Sequence, residues 1–171
     1  MSSADRQIRS AVPGVTAEEA EFEQLMRRQA VMSMALGQAA AEVVGLNATQ
    51  LNCLNLIALD GPLTAGQVAA GIGLTTASTT AILDKLETEG HIVRERDPQD
   101  RRRVTVSINM GKGLEEISPL FAPLTLARTR LLGSHSPEET ELILEFVRKN
   151  TQLLAEAVER LRAMSPRRKS S

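Results

Sequence analysis

From Arg94 to Arg103, five arginines (Arg94, Arg96, Arg101, Arg102 and Arg103) stand against three acids, Glu95, Asp97 and Asp100. Guanidinium groups gathered this way suit phosphate, because each offers a planar fork of donors on a permanent charge. Just upstream, Thr75-Thr-Ala-Ser-Thr-Thr80 is a run of hydroxyls around one alanine. Short hydroxyl and methyl side chains can reach base edges in a DNA groove. Each feature alone has a plain reading, as a solvated helix start and a solvated hairpin. Their adjacency favours duplex DNA instead. The expected reading residues are Thr76, Ala77, Ser78, Thr80, Ala81 and Lys85, with the two alanines leaving room for a thymine methyl. Lys85 also has surface partners to hand in Asp84 and Glu87–Glu89.

Other chemistry finds little support. His91 and His135 are isolated, and no His/Cys/Asp/Glu grouping has ligand spacing, so neither a metal nor a cofactor is expected. Cys53 lies between Leu51 and Leu54 with no cation nearby to lower its pKa, which fits a core thiol better than a redox sensor. Gly71-Ile-Gly73 follows no strand and fails the dinucleotide-binding context. No nucleophile stands near a base, and an enzyme is not expected.

The elements that must position the basic and hydroxyl runs follow from periodicity. Thr16-Ala-Glu-Glu19 fits a capping box that opens a helix to about Val44, with Phe22, Leu25, Met26, Met32, Leu36, Ala39 and Val43 along an apolar stripe. A second helix spans Ala48 to Leu59 and ends at Asp60-Gly61-Pro62. Thr64-Ala-Gly-Gln67 caps a short third helix, and Gly71 and Gly73 punctuate it. Thr76 to Glu89 forms the next, with Ile82, Leu83 and Leu86 inward and Gly90 as its stop. Ala69 and Gly73 are small enough for close crossing of this helix pair. His91–Arg96 and Arg103–Ile108 alternate as half-buried strands, with Val104, Val106 and Ile108 inward and Asp97-Pro-Gln-Asp-Arg-Arg102 as the tip. Leu114 to Leu132 contains Pro119 and Pro123, which predict a bend or two short helices. Ser136-Pro-Glu-Glu139 then caps a helix to about Met164.

This order predicts a mostly α fold of the α+β winged helix-turn-helix kind, a two-stranded wing with N- and C-terminal dimerisation helices. The expected organisation is a disordered tail (1–15), a dimerisation helix (16–46), the DNA-binding region (47–110), C-terminal dimerisation helices (111–164) and a basic disordered tail (165–171). Hydrophobic residues make up 42% and charged residues 24%, ordinary for a folded protein, and with three Phe and no Tyr or Trp the core must be aliphatic. The net charge of −1 is uninformative, since a near-neutral total can hide a basic face. No apolar run approaches the ~18 residues of a membrane span, so no membrane partner is expected. A single cysteine excludes an intramolecular disulfide framework, and the expected location is cytoplasmic.

The stretches LTAGQVAAGIGL and TASTTAILDKLETEGHIVRERDPQDRRRVTVSI resemble the MarR (multiple antibiotic resistance regulator) family, and the likeness extends over roughly Ala17 to Met164. The exit Leu86-Glu-Thr-Glu-Gly-His-Ile followed by Asp97-Pro-Gln-Asp-Arg-Arg102 carries most of it. The resemblance implies a homodimer joined by its first and last helices, recognition helices in successive major grooves of double-stranded DNA, and often a small-molecule effector. It implies that Asp100 and Arg102 support and deliver the wing, whose contacts would then be Arg94, Arg96, Asp100, Arg101, Arg102 and Arg103. Three departures stand out. Ala81 replaces an Arg that many relatives carry, Ile108-Asn-Met-Gly-Lys-Gly113 replaces the usual Leu-Thr-x-x-Gly, and aromatics for a ligand cleft are few. The expected function is a sequence-specific regulator, a ligand-modulated repressor. The rival reading is a winged helix for protein contacts or for sequence-blind architectural binding.

Overall fold

The computed structural model describes residues 14–97 and 100–164, so the expected N-terminal tail except residues 14 and 15, the expected C-terminal tail and the Pro98-Gln99 tip lie outside the described residues. Six helices and three strands follow in the order α1 (Ala17–Val43), α2 (Ala48–Asp60), β1 (Leu63–Thr64), α3 (Ala65–Ile72), α4 (Thr76–Thr88), β2 (Ile92–Arg96), β3 (Val104–Ile108), α5 (Lys112–Leu132) and α6 (Pro137–Met164) among the described residues. The chain divides into two compact units, Met1–Leu120 and Phe121–Ser171.

Helix starts are where side-chain oxygens satisfy the first free N–H groups. The hydroxyl of Thr16 accepts from the Glu19 N–H at 3.2 Å while the Glu19 carboxylate accepts from the Thr16 N–H at 2.8 Å. Thr64 with Gln67 and Ser136 with Glu139 close the same reciprocal box at the starts of α3 and α6. Asn47 and Gln50 make a further box at α2, which the sequence reading did not anticipate. Its signature uses Asn and Gln in place of the commoner hydroxyl and carboxylate.

In the first unit the core is aliphatic, as the missing aromatics require. Leu51, Leu54 and Ile57 of α2, Val68 and Ala69 of α3, Leu83 and Leu86 of α4, and Ile92 and Val106 of the sheet are all buried. Cys53 is fully buried among them. A Cβ at Gly71 of α3 would meet the flexible end of the Leu56 side chain of α2, which can turn aside. Ala69, one of the small residues expected at the crossing of α3 with α4, is buried, and Gly73 takes φ +76° as the left-handed end of α3, a conformation that suits glycine.

The sheet has three strands in the order β1-β3-β2, all antiparallel. The hairpin β2–β3 is the expected two-stranded wing, and Leu63 and Thr64 add a short edge opposite Val106 and Thr105. Two residues are too few to show a period, so the sequence could not reveal this strand. The β3 side chains also differ from expectation. Val104 is 48% exposed, whereas Thr105 and Val106 are buried, since β3 is covered at its centre and open towards the tip. Of the two outcomes expected for α5, a break into two short helices does not occur: it runs as one helix through both Pro119 and Pro123. Each proline removes only its own N–H bond, and four residues apart they fall on one face, so the remaining ladder carries the helix through.

In the second unit α6 buries no residue within the chain, and Leu142, Leu153, Leu154 and Val158 stay exposed along it. The first helix, α1, likewise exposes Leu25, Val31, Met32 and Val43.

Candidate nucleic-acid interface

Helix α4 turns Thr79, Leu83 and Leu86 into the core. The opposite side carries Thr76, Ala77, Ser78, Thr80, Ala81 and Lys85, all exposed. All six expected reading residues therefore share the outer surface of one helix. Thr75 caps this helix. Its hydroxyl accepts from the Ser78 N–H at 3.2 Å and donates to the Ser78 hydroxyl at 2.9 Å. The Ser78 hydroxyl is exposed, and turning its hydrogen outward lets it donate to a base or phosphate acceptor. Thr80 differs, because its hydroxyl already donates to the Thr76 carbonyl at 2.9 Å. It can offer DNA only an acceptor and a methyl. The Lys85 Nζ lies 3.6 Å from Glu89 Oε1, and an exposed pair of this kind costs little to break.

The wing is braced from within by its acids. The Asp97 carboxylate accepts from the Asp100 N–H at 3.3 Å, and the Asp100 carboxylate accepts from the Arg102 N–H at 3.0 Å. Backbone bonds from Asp97 N–H to the Arg103 carbonyl and from Arg103 N–H to the Asp100 carbonyl close the turn. These bonds explain why Asp stands among so many arginines: side-chain oxygens in a tight turn satisfy local N–H groups. Arg96, Arg101, Arg102 and Arg103 are exposed, and none of them forms an ion pair among the described residues. Arg94 is placed otherwise. Its Nη1 lies 2.7 Å from Asp84 Oδ1 and 2.9 Å from Glu87 Oε2, both on α4.

The base of the hairpin is tied by Asn109, a residue that sequence reasoning did not single out. The Asn109 N–H donates to the His91 carbonyl at 3.0 Å, and its Nδ2 donates to the Gly90 carbonyl at 2.9 Å. The Asn109 Oδ1 accepts from the Gly111 N–H and so starts the turn into α5. Gly90 takes φ +81°, and the following His91 N–H returns to the Leu86 carbonyl, which ends α4 and aims the chain into β2. His91 is buried at the strand start, its Nδ1 3.9 Å from Glu116 Oε2. Among the described residues, no group of three or more His, Cys, Asp or Glu is placed to hold a metal. Nor is any described helix long and apolar enough to cross a membrane.

A reading helix propped by its predecessor, with an arginine-bearing hairpin beside it, defines a winged helix-turn-helix of the DNA-binding class. A family model described as the MarR family matches residues 44–103. The chain is 38% identical over 139 residues to YcgE of Bacillus subtilis (strain 168), an HTH-type transcriptional regulator, covering 81% of this chain and 90% of that protein. Among solved structures, the transcriptional regulator Tm0710 from Thermotoga maritima matches with a TM-score of 0.56 at 22% identity, over 81% of this chain and 97% of that one. A mutant of S. aureus MepR, solved bound to an oligodeoxyribonucleotide, matches with a TM-score of 0.51 at 19% identity, over 84% of this chain and 98% of that one. The chain belongs to the MarR family and is a DNA-binding transcriptional regulator.

Proposed function

We propose that the protein is a sequence-specific repressor that reads duplex DNA as a homodimer and releases it when a small molecule binds. The observation that carries this reading is the outer surface of α4, where the exposed Ser78 hydroxyl stands beside two alanines, next to a wing of exposed arginines. A merely sequence-blind binder needs the arginines but not the short polar and methyl groups. The site residues divide accordingly. Thr76, Ala77, Ser78, Thr80 and Ala81 face bases, Lys85 reaches phosphate, and Arg96, Arg101, Arg102 and Arg103 serve backbone and minor groove.

The homodimer is supported by the apolar residues that α1 and α6 leave exposed, surfaces of the kind one copy buries against another. Under this reading 16–46 and 111–164 serve dimerisation, 47–110 serves DNA, and the two reading helices address half-sites about 10 bp apart. The small-molecule effector rests on the family resemblance. Such a ligand acts only by binding the DNA-competent and incompetent states with different affinity.

The decisive test is binding of the purified protein to DNA from upstream of its own gene, against unrelated competitor, at two salt concentrations. Preference that survives the higher salt supports the reading. Equal, salt-sensitive binding to both duplexes supports an architectural role instead. Sedimentation at micromolar concentration tests the dimer, and a panel of small molecules scored by DNA affinity and thermal shift tests the effector.

A further inference from the structure

Arg94 stands in the arginine-rich segment, yet its surroundings are not those of a phosphate ligand. Its side chain is 25% exposed, and Nη1 sits between the Asp84 and Glu87 carboxylates at 2.7 and 2.9 Å. One positive charge between two negative ones leaves the trio net negative, a poor place for a DNA phosphate. We propose that Arg94 is a positioning residue: it clamps β2 to α4, setting the wing's angle to the reading helix, and screens Asp84 and Glu87 from the DNA backbone. The inference rests on the reading of α4 and the wing as the DNA-binding surface.

The geometry supplies the reason a clamp is needed here. The hairpin is anchored at its base through Asn109, His91 and Gly90. A strand advances about 3.3 Å per residue, so Asp97, where the strand ends, lies roughly 10 Å from Arg94. A ribbon held only at its base swings most at that tip, where Arg101 and Arg102 must meet DNA. Arg94 grips the hairpin partway along, opposite Val106, and ties it to two carboxylates three residues apart on one helix face. A guanidinium can bond both at once from a fixed plane, which a lysine ammonium does less well.

The test is a salt series of duplex binding by four proteins: wild type, Arg94→Gln, the double variant Asp84→Asn with Glu87→Gln, and the triple variant. If Arg94 acts through the two carboxylates, Arg94→Gln lowers affinity for the preferred duplex by about tenfold, the scale of one charged hydrogen-bonded contact. The salt slope stays unchanged, because no phosphate contact is lost. In the background lacking both carboxylates, adding Arg94→Gln changes affinity by less than about twofold, since the partners are already gone. A slope that falls by about one, or an equal loss in both backgrounds, overturns the proposal and returns Arg94 to direct phosphate contact. Amide exchange across β2 and β3 gives a second readout that needs no DNA. Exchange in Arg94→Gln faster than in wild type supports the clamp, and unchanged exchange overturns it. If the wild type binds no duplex at all, the DNA reading fails, and the exchange measurement alone decides the clamp.

Discussion

Gly113, in the first turn of α5, lies against the backbone carbonyl of His91 so closely that a Cβ would overlap that oxygen. The obstacle is backbone, not a flexible side-chain end, so it cannot move aside without disturbing the start of β2. The same His91 carbonyl accepts the Asn109 N–H, so α5 and the wing base meet on one peptide group. Gly113→Ala should therefore lower stability by about 1–3 kcal/mol, the usual range for an overpacked site. Chemical denaturation would measure this. An unchanged midpoint and slope would show that the contact yields and that glycine is dispensable there.

Ser78 is the residue whose loss should separate sequence reading from general attraction. Its hydroxyl lies 2.9 Å from the Thr75 hydroxyl and is exposed, so its hydrogen can turn to an outside acceptor. Ser78→Ala should cost about 1–3 kcal/mol on the preferred duplex if that hydrogen meets a base edge, with much less lost on unrelated DNA. The Thr75 cap still accepts from the residue 78 N–H in the variant, so helix stability should be little changed. A uniform loss across duplexes would make Ser78 a phosphate contact.

Arg102 should behave differently from Ser78. Its N–H is held by the Asp100 carboxylate, and its side chain is exposed without an ion pair among the described residues. Arg102→Ala should weaken binding to all duplexes alike and reduce the salt slope by about one. Asp100→Ala should mimic it in affinity but not in slope, because it removes the brace and leaves the cation. If Arg102→Ala keeps the full slope, the wing does not reach the backbone.

The sequence revealed whatever depends on short-range rules. Caps at Thr16, Thr64 and Ser136, the Gly90 stop and the apolar period of α4 all act within one helical turn, and each is present. What stayed hidden depends on contacts between distant positions. The Arg94 guanidinium finds Asp84 and Glu87 across a turn, ten and seven residues back, a pairing no spacing rule specifies. On charge alone Arg94 is indistinguishable from Arg96, although one is clamped and the other exposed. Similarly, Leu63–Thr64 becomes a strand only because β3 offers it an edge, and α5 keeps its helix through two prolines because the neighbouring bonds suffice.

Cys53 offers a prediction in pH. Burial pushes its thiol from an ordinary value of 9.0 up to about 11, well away from a reactive thiolate. The sign follows from proton counting. Below pH 9 the thiol is protonated in both folded and unfolded chains and contributes no pH dependence. Between about 9 and about 11 the unfolded chain releases this proton while the folded one retains it, so rising pH favours unfolding. The full loss across that window is on the order of 3 kcal/mol, two pH units at about 1.4 kcal/mol each. Other groups titrate there too, so the quantity to follow is the stability of the wild type minus that of Cys53→Ala. It should be constant from about pH 7 to about 8.5 and decline towards about pH 10.5. A flat difference, or rapid alkylation of the native protein by iodoacetamide at about pH 8, would show the thiol to be accessible and would reopen a redox role for it.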